Sequence, residues 1–193
     1  MVIGGGGEVG DTIVKHPAIR VISFTGSNAV GTRLYGEASK KLAKVVCEMG
    51  GKNALVVMDD ANIEMAAKAI LAGAFGSTGQ RCTATSRVIV QTGIKDRLLE
   101  ILVEKARTMK VGDGMDPATE MGPAVDKGQF ETDLEYIEIA KKEGARLLVG
   151  GTRDEAAGNG YFVRPTIFDH VGPRMRLFQE EVFGPVLAVT RAR

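Results

Sequence analysis

The amino-acid sequence predicts an α/β protein built around a parallel sheet. Three observations carry that prediction. Short apolar runs of strand length alternate with longer segments whose apolar residues recur every three or four positions. Several of the runs are continuous rather than alternating, the pattern of strands covered on both faces. Residues 53–91 read as a complete β-α-β unit. At 193 residues and 44% hydrophobic content the chain can bury one large core or two small ones.

The chain opens with "GGGGEVG" (residues 4–10), where Gly5, Gly7 and Gly10 stand at the G-x-G-x-x-G spacing of a dinucleotide fingerprint. That fingerprint needs a buried strand before it, a helix after it and an acidic residue about twenty positions on. Here only "MVI" precedes, Pro17 stops the following helix early, and "VISFTGSNAVG" holds no Asp or Glu. A glycine-rich turn is expected instead, with "MVI" as the tail of a strand. "AIRVISF" then reads as a strand, and "AVGTRLYGEASKKL" as a helix that Ser27 or Asn28 can cap.

"NALVVM" (53–58) is a continuous apolar run, expected as a strand buried on both faces. Asp59 and Asp60 offer a cap for a helix whose apolar face is Ile63, Ala66, Ala67, Ile70, Leu71, Ala74 and Phe75. "SRVIVQ" (86–91) completes the β-α-β unit, with "GSTGQRCTAT" as the loop between helix and second strand. Leu98, Leu102 and Met109 mark a helix over 95–109. The Gly-, Pro- and Asp-rich "VGDGMDPATEMGPAVD" is expected to cross the surface without forming an element. A helix over 127–143, a strand at "RLLVGG", a hairpin-like "GNGYFVRPTIF" and a last strand at "PVLAVT" follow.

Composition narrows the function. With 25 basic against 24 acidic residues the net charge is +1, which gives no pull toward nucleic acid or an anionic membrane. No apolar stretch has the length of a membrane span, and the expected location is the cytoplasm. Cys47, Cys82, His16 and His170 are the only soft ligands, and none of their spacings matches a metal motif, so no metal is expected. A disulfide is not expected in that compartment.

The cysteines are therefore weighed singly. Taken alone, a Cys is most often a small buried hydrophobe. Cys82, however, stands in "F-G-S-T-G-Q-R-C-T-A-T-S" (75–86), a glycine-containing turn between helix and strand where backbone amides can gather around an oxyanion. A cysteine hydrolase would need a His partner, and neither His16 nor His170 sits in a motif for one.

Residues 75–86 resemble the active-site cysteine motif of the NAD(P)-dependent aldehyde dehydrogenases, with Cys82 at the nucleophile position. "C-E-M-G-G-K-N-A" (47–54) resembles their general-base motif, with Glu48 at the base and 34 residues before Cys82. "E-E-V-F-G-P-V" (180–186) is similar to the segment whose second glutamate, here Glu181, holds the nicotinamide ribose and whose Phe, here Phe183, packs near the ring. "FTGS" (24–27) followed by Gly31 resembles the turn and helix start beside the cofactor pyrophosphate, which assigns Gly26, Ser27 and Gly31 to the cofactor.

The resemblance implies a parallel-sheet catalytic domain over 49–193, incomplete at its C-terminus, and the last part of a Rossmann-like cofactor domain over 1–48. It implies an oxidoreductase that takes an aldehyde to a carboxylic acid with NAD or NADP. Cys82 would form a thiohemiacetal and then a thioester, Glu48 would activate the water that hydrolyses it, and Met49 would present its carbonyl to the nicotinamide carboxamide. It also implies that "GGGGEVG" lines the adenine end of the cofactor cleft. The partner is a small aldehyde, with neither nucleic acid nor membrane, and the full-length enzyme is expected as a homodimer or homotetramer.

The details of "GQRCTATSRVIVQ" are most similar to members acting on semialdehydes such as 2,5-dioxopentanoate, where Arg81 is open to either a substrate carboxylate or a structural salt bridge. Such enzymes are much longer, so a second reading stands beside the first: a catalytically incomplete domain with thiol reactivity or weak esterase activity.

Overall fold

A computed structural model describes residues 1–193, and the chain divides after Gly50 into two units, Met1–Gly50 and Gly51–Arg193. In the first, Met1–Ile3 is exposed and pairs with nothing, so the expected strand tail is absent. The glycine-rich stretch forms a π-helical turn over Gly6–Gly10 that runs into helix α1 (Asp11–Lys15). Without side chains to bury, these glycines satisfy their backbone locally, as Val9 N–H does by donating to Gly5 O at 2.9 Å. Strand β1 (Val21–Gly26), helix α2 (Asn28–Ser39) and strand β2 (Lys44–Met49) follow. The two strands pair in parallel, Thr25 opposite Glu48 and Gly26 opposite Met49. Val14, Ile22, Leu34 and Ala38 form the core of this unit.

The second unit contains β3 (Asn53–Val57), α3 (Ile63–Phe75), β4 (Thr85–Gln91), α4 (Thr92–Thr108), α5 (Lys127–Lys142), β5 (Arg146–Val149), β6 (Thr166–Asp169), α6 (Arg176–Gln179) and β7 (Val186–Ala192). Its sheet runs β3-β4-β7-β6-β5, parallel except for β5 against β6. The pleat divides the inner strands between two cores. Ile167, Leu187 and Val189 join α3 and α4 on one face, while Phe168, Val186 and Ala188 join α5 and α6 on the other.

Four expectations shift in this frame. The doubly buried strand is β7, whereas β3 lies at the sheet edge with alternating burial and Val56 60% exposed. An apolar run fits either site, and only the pairing order separates them. The cap of α3 is Asn62, whose side chain accepts from Met65 N–H, while Asp59 lies in the preceding turn and donates its own N–H to Gln91 Oε1. The segment read as a hairpin makes a single bridge, Arg153 to Val163, and sends β6 to pair with β5. The loop before α5 is anchored by Met121, 1% exposed and bridged to Val111, and by buried Ala124. No helix is long and apolar enough to cross a membrane.

Candidate functional site

Helix α3 ends at Phe75 with Gly76 as its C-cap, and the chain then passes through three successive left-handed residues: Ser77 (φ 53°), Thr78 (φ 57°) and Gly79 (φ 68°). Two of them carry side chains, so the bend is strained and needs outside support. Thr78, buried, donates its hydroxyl to Gly122 O at 3.1 Å. Gln80 accepts from Val125 N–H at 2.9 Å. Gly79 is packed so tightly against the Gly184 carbonyl that a Cβ there would overlap it.

Cys82 is the next landmark, free and exposed on a turn closed by Ala84 N–H donating to Arg81 O at 2.9 Å. Asn53, at the start of β3, fixes this turn from beneath, its Nδ2 donating to Cys82 O at 2.6 Å and Ala84 O at 3.2 Å. No group of the protein takes the N–H of Cys82 or Thr83. Arg81 donates to Ala72 O at 3.1 Å and forms no ion pair, so the structural salt bridge expected as one of its two roles is replaced by a bond to the end of α3.

The 180–184 segment borders residues on either side of Cys82: Gly51, Gly79, Arg81, Ala84, Glu181 and Phe183 are among those lining one recess. Glu181 is exposed and accepts from Gly51 N–H through Oε1 at 3.2 Å, which leaves Oε2 open. Phe183 holds a left-handed backbone (φ 61°) that turns it outward, 37% exposed. Glu180 is the structural member of the pair, bound by Arg176 at 2.9 Å and by the Tyr136 hydroxyl at 2.7 Å. Those two partners hold its carboxyl below the usual range. Lys52 has a buried ammonium with no hydrogen-bond partner. Burial and, secondarily, the Arg87 charge bring it down to about 8, against the pull of Glu181 and Glu180.

In the first unit, Ser27 caps α2 by accepting from Val30 N–H, and no acidic residue stands in the first turn. Gly31 abuts the Met49 side chain and leaves no room for a Cβ. Gly26 and Met49 are register partners, and Glu48 is exposed on β2 beside Met49. Cys47 is half-buried and lines an open groove of about 350 Å³ with Gly31, Thr32, Tyr35, Val45 and Met49. So Gly26, Ser27, Gly31, Glu48 and Met49 belong to one unit, and Cys82, Glu181 and Phe183 to the other.

Sequence reading missed the residues that hold the cysteine turn: Asn53, Thr78 and Gln80. Asn53 had a signal, since a polar residue opening an apolar strand requires a partner. Thr78 had none, because its role depends on Gly122, 44 residues away.

A sequence model described as "Aldehyde dehydrogenase family" matches residues 1–193. The chain is 47% identical over 196 residues to the 1-pyrroline-5-carboxylate dehydrogenase of Geobacillus thermodenitrificans, covering 98% of this chain and 38% of that protein. It is 48% identical over 195 residues to the 2,5-dioxopentanoate dehydrogenase of Saccharolobus solfataricus, covering 100% of this chain and 40% of that protein. Among solved structures, betaine aldehyde dehydrogenase from Staphylococcus aureus in complex with NAD+ superposes with a TM-score of 0.97 at 36% identity, over 100% of this chain and 38% of that one. The chain thus spans about two fifths of the length of the proteins it matches.

Proposed function

The chain belongs to the aldehyde dehydrogenase family, and on that premise we propose that it carries the nucleophile of an enzyme oxidising an aldehyde to a carboxylic acid with NAD or NADP. The observation that supports this most is Cys82: a free, exposed thiol on a turn held by Asn53 and raised on strained backbone, with its own N–H and that of Thr83 unengaged.

Cys82 as thiolate adds to the aldehyde carbon, and the carbonyl oxygen takes the negative charge. The two free amides stabilise that oxyanion. When the tetrahedral species collapses, hydride leaves the former aldehyde carbon and Cys82 is left as a thioester. Glu48 takes a proton from water, the resulting hydroxide adds to the thioester, and the acid departs with Cys82 restored as thiolate.

The residues present suit a dinucleotide. The first N–H groups of α2 lack helical acceptors and point away from a first turn without carboxylates, as a phosphate requires. Glu181 keeps one carboxylate oxygen to accept from a sugar hydroxyl, and Phe183 offers an exposed ring. The nicotinamide, when bound, is the acceptor of the hydride.

For the substrate we propose a short semialdehyde carrying a carboxylate. The names of two relatives support that class, 1-pyrroline-5-carboxylate dehydrogenase and 2,5-dioxopentanoate dehydrogenase. A second reading, favoured by the free and exposed thiol of Cys82, which can react without a cofactor, is that these residues perform the thiol chemistry without dinucleotide turnover.

One substrate separates the parts. With 4-nitrophenyl acetate, which needs no cofactor, the parent protein should release nitrophenolate and turn over, and Cys82→Ala should lose at least about 100-fold in rate. Glu48→Gln should acylate normally and retain the acetyl group, read by intact mass, as deacylation slows about 100-fold. Equal labelling of parent and Cys82→Ala would overturn the assignment of the nucleophile. NADH or NADPH formation from 2,5-dioxopentanoate by the same protein then decides between the two readings.

A further inference from the structure

One buried acid is not used by this mechanism. Asp133, on the second turn of α5, is 0% exposed and belongs to no ion pair. Its Oδ1 accepts from Gln129 Nε2 at 2.7 Å, and its Oδ2 has no partner. The same Gln129 Nε2 donates to Val182 O at 2.9 Å, so one amide ties the carboxyl to the backbone that follows Glu181. The carboxyl also lies directly against Gly184, where any Cβ would run into it. On the other side of Gly184, its carbonyl abuts Gly79 in the bend before Cys82. Asp133, Gly184 and Gly79 therefore form one continuous stack, from helix α5 through the segment bearing Phe183 to the cysteine turn.

We propose that Asp133 is a positioning residue of this site: held by Gln129 and pressed on Gly184, its carboxyl sets the bend that presents Glu181 and Phe183 and seats that bend against the turn of Cys82. This rests on the functional reading above for its significance, but not for its test. The neutral acid fits the site, where a single amide is the only donor. A carboxylate there would be a buried charge without a cation, next to the Val182 and Gly184 backbone. The charged groups on the packed segment are engaged elsewhere, Glu180 with Arg176 and Tyr136, and Glu181 with the Gly51 amide. Burial pushes the Asp133 acid up to about 7, opposed only by the Gln129 hydrogen bond. Ionisation near neutral pH should therefore loosen the stack and register at Cys82.

The test compares the parent with Asp133→Asn, which keeps the shape and cannot ionise. Each protein is alkylated with iodoacetamide from pH 5.5 to 8.5, and the Cys82 peptide is quantified apart from that of Cys47. The ratio of parent to variant rate cancels the thiol's own titration. It should be within twofold of one at pH 5.5 and depart by threefold or more by pH 8. Hydrogen exchange in residues 180–184, corrected for intrinsic pH dependence, should rise over the same interval in the parent and stay flat in the variant. A rate ratio constant with pH, or the same exchange profile in both proteins, would overturn the proposal. Because alkylation needs neither aldehyde nor cofactor, failure of the dehydrogenase reading would leave this result standing, and the reverse holds as well.

Discussion

The two units present their candidate residues in opposite ways. Met1–Gly50 offers them on relaxed backbone: Ser27 is extended (φ −70°, ψ 151°) at a strand-to-helix junction, and Glu48 and Met49 sit in regular strand pairing. Its core consists of Val14, Ile22, Leu34 and Ala38. Gly51–Arg193 offers Cys82 and Phe183 beside strained backbone, with Ser77, Thr78 and Phe183 all at positive φ. Such residues cost roughly 1–3 kcal/mol each, and they persist only where the surroundings over-determine them. Here a sheet packed on both faces supplies that support, with Phe75, Ile70, Leu98 and Leu187 fully buried around it. A strained nucleophile turn needs a thick core behind it, whereas a helix N-terminus that offers free amides needs only its cap.

That contrast breaks first with pH, because the second unit contains the buried acid. The folded-state pKa of Asp133 is raised from 3.8 to about 7, so the folded protein binds a proton that the unfolded chain has released. Its favourable contribution is complete below about pH 4 and is lost as pH rises through 7. A shift of that size corresponds to about 4 kcal/mol as an order of magnitude. Urea unfolding between pH 5 and 8 should show the parent losing stability relative to Asp133→Asn by a few kcal/mol. In that window the exposed carboxylates held low by Lys or Arg, such as Asp11, Glu138 and Glu180, have finished titrating. Parallel curves for parent and variant would mean that the acid is charged throughout.

Gly79→Ala should come next. The new Cβ meets the Gly184 carbonyl, and the backbone keeps φ 68°, so both strain and overlap act. A loss of about 3 kcal/mol in urea unfolding is expected. Gly5→Ala, with nothing within 4 Å of its Cβ, is the control in the first unit and should change stability by less than about 0.5 kcal/mol. Comparable losses from the two substitutions would erase the distinction between a strained and a relaxed position.

How much of this was legible in the sequence follows the same division. Local patterns gave the α/β class, the helices and the Ser27 cap, since these depend on neighbours a few residues apart. Resemblance to the family's motifs, not any local pattern, singled out Cys82, Glu48 and Glu181 as site candidates. Pairing order was not legible, so the edge strand β3 and the central strand β7 read alike although one is half exposed. Nor was the support of the cysteine turn, because the contacts of Thr78 with Gly122 and of Gly79 with Gly184 join residues far apart in sequence. Asp133 reads as an ordinary polar position of a surface helix until the fold lays the 182–184 segment over it.

The smallest expected effect belongs to the first unit. Ser27→Ala removes a side-chain oxygen that accepts from Val30 N–H at 3.3 Å, a long bond at an exposed helix start. Water can replace part of it, so the loss should be about 1 kcal/mol, the usual value of an N-cap. The backbone bond from Gly31 N–H to Ser27 O at 2.9 Å does not involve the side chain and keeps the helix start in place. Ser27→Gly should cost only a few tenths of a kcal/mol. Hydrogen exchange across Asn28–Arg33, measured for both variants, tests this directly. Faster exchange in the first turn alone is expected. If exchange also rose through β1 and β2, the cap would be holding the whole unit, and its small core would then be too weak to support even relaxed backbone.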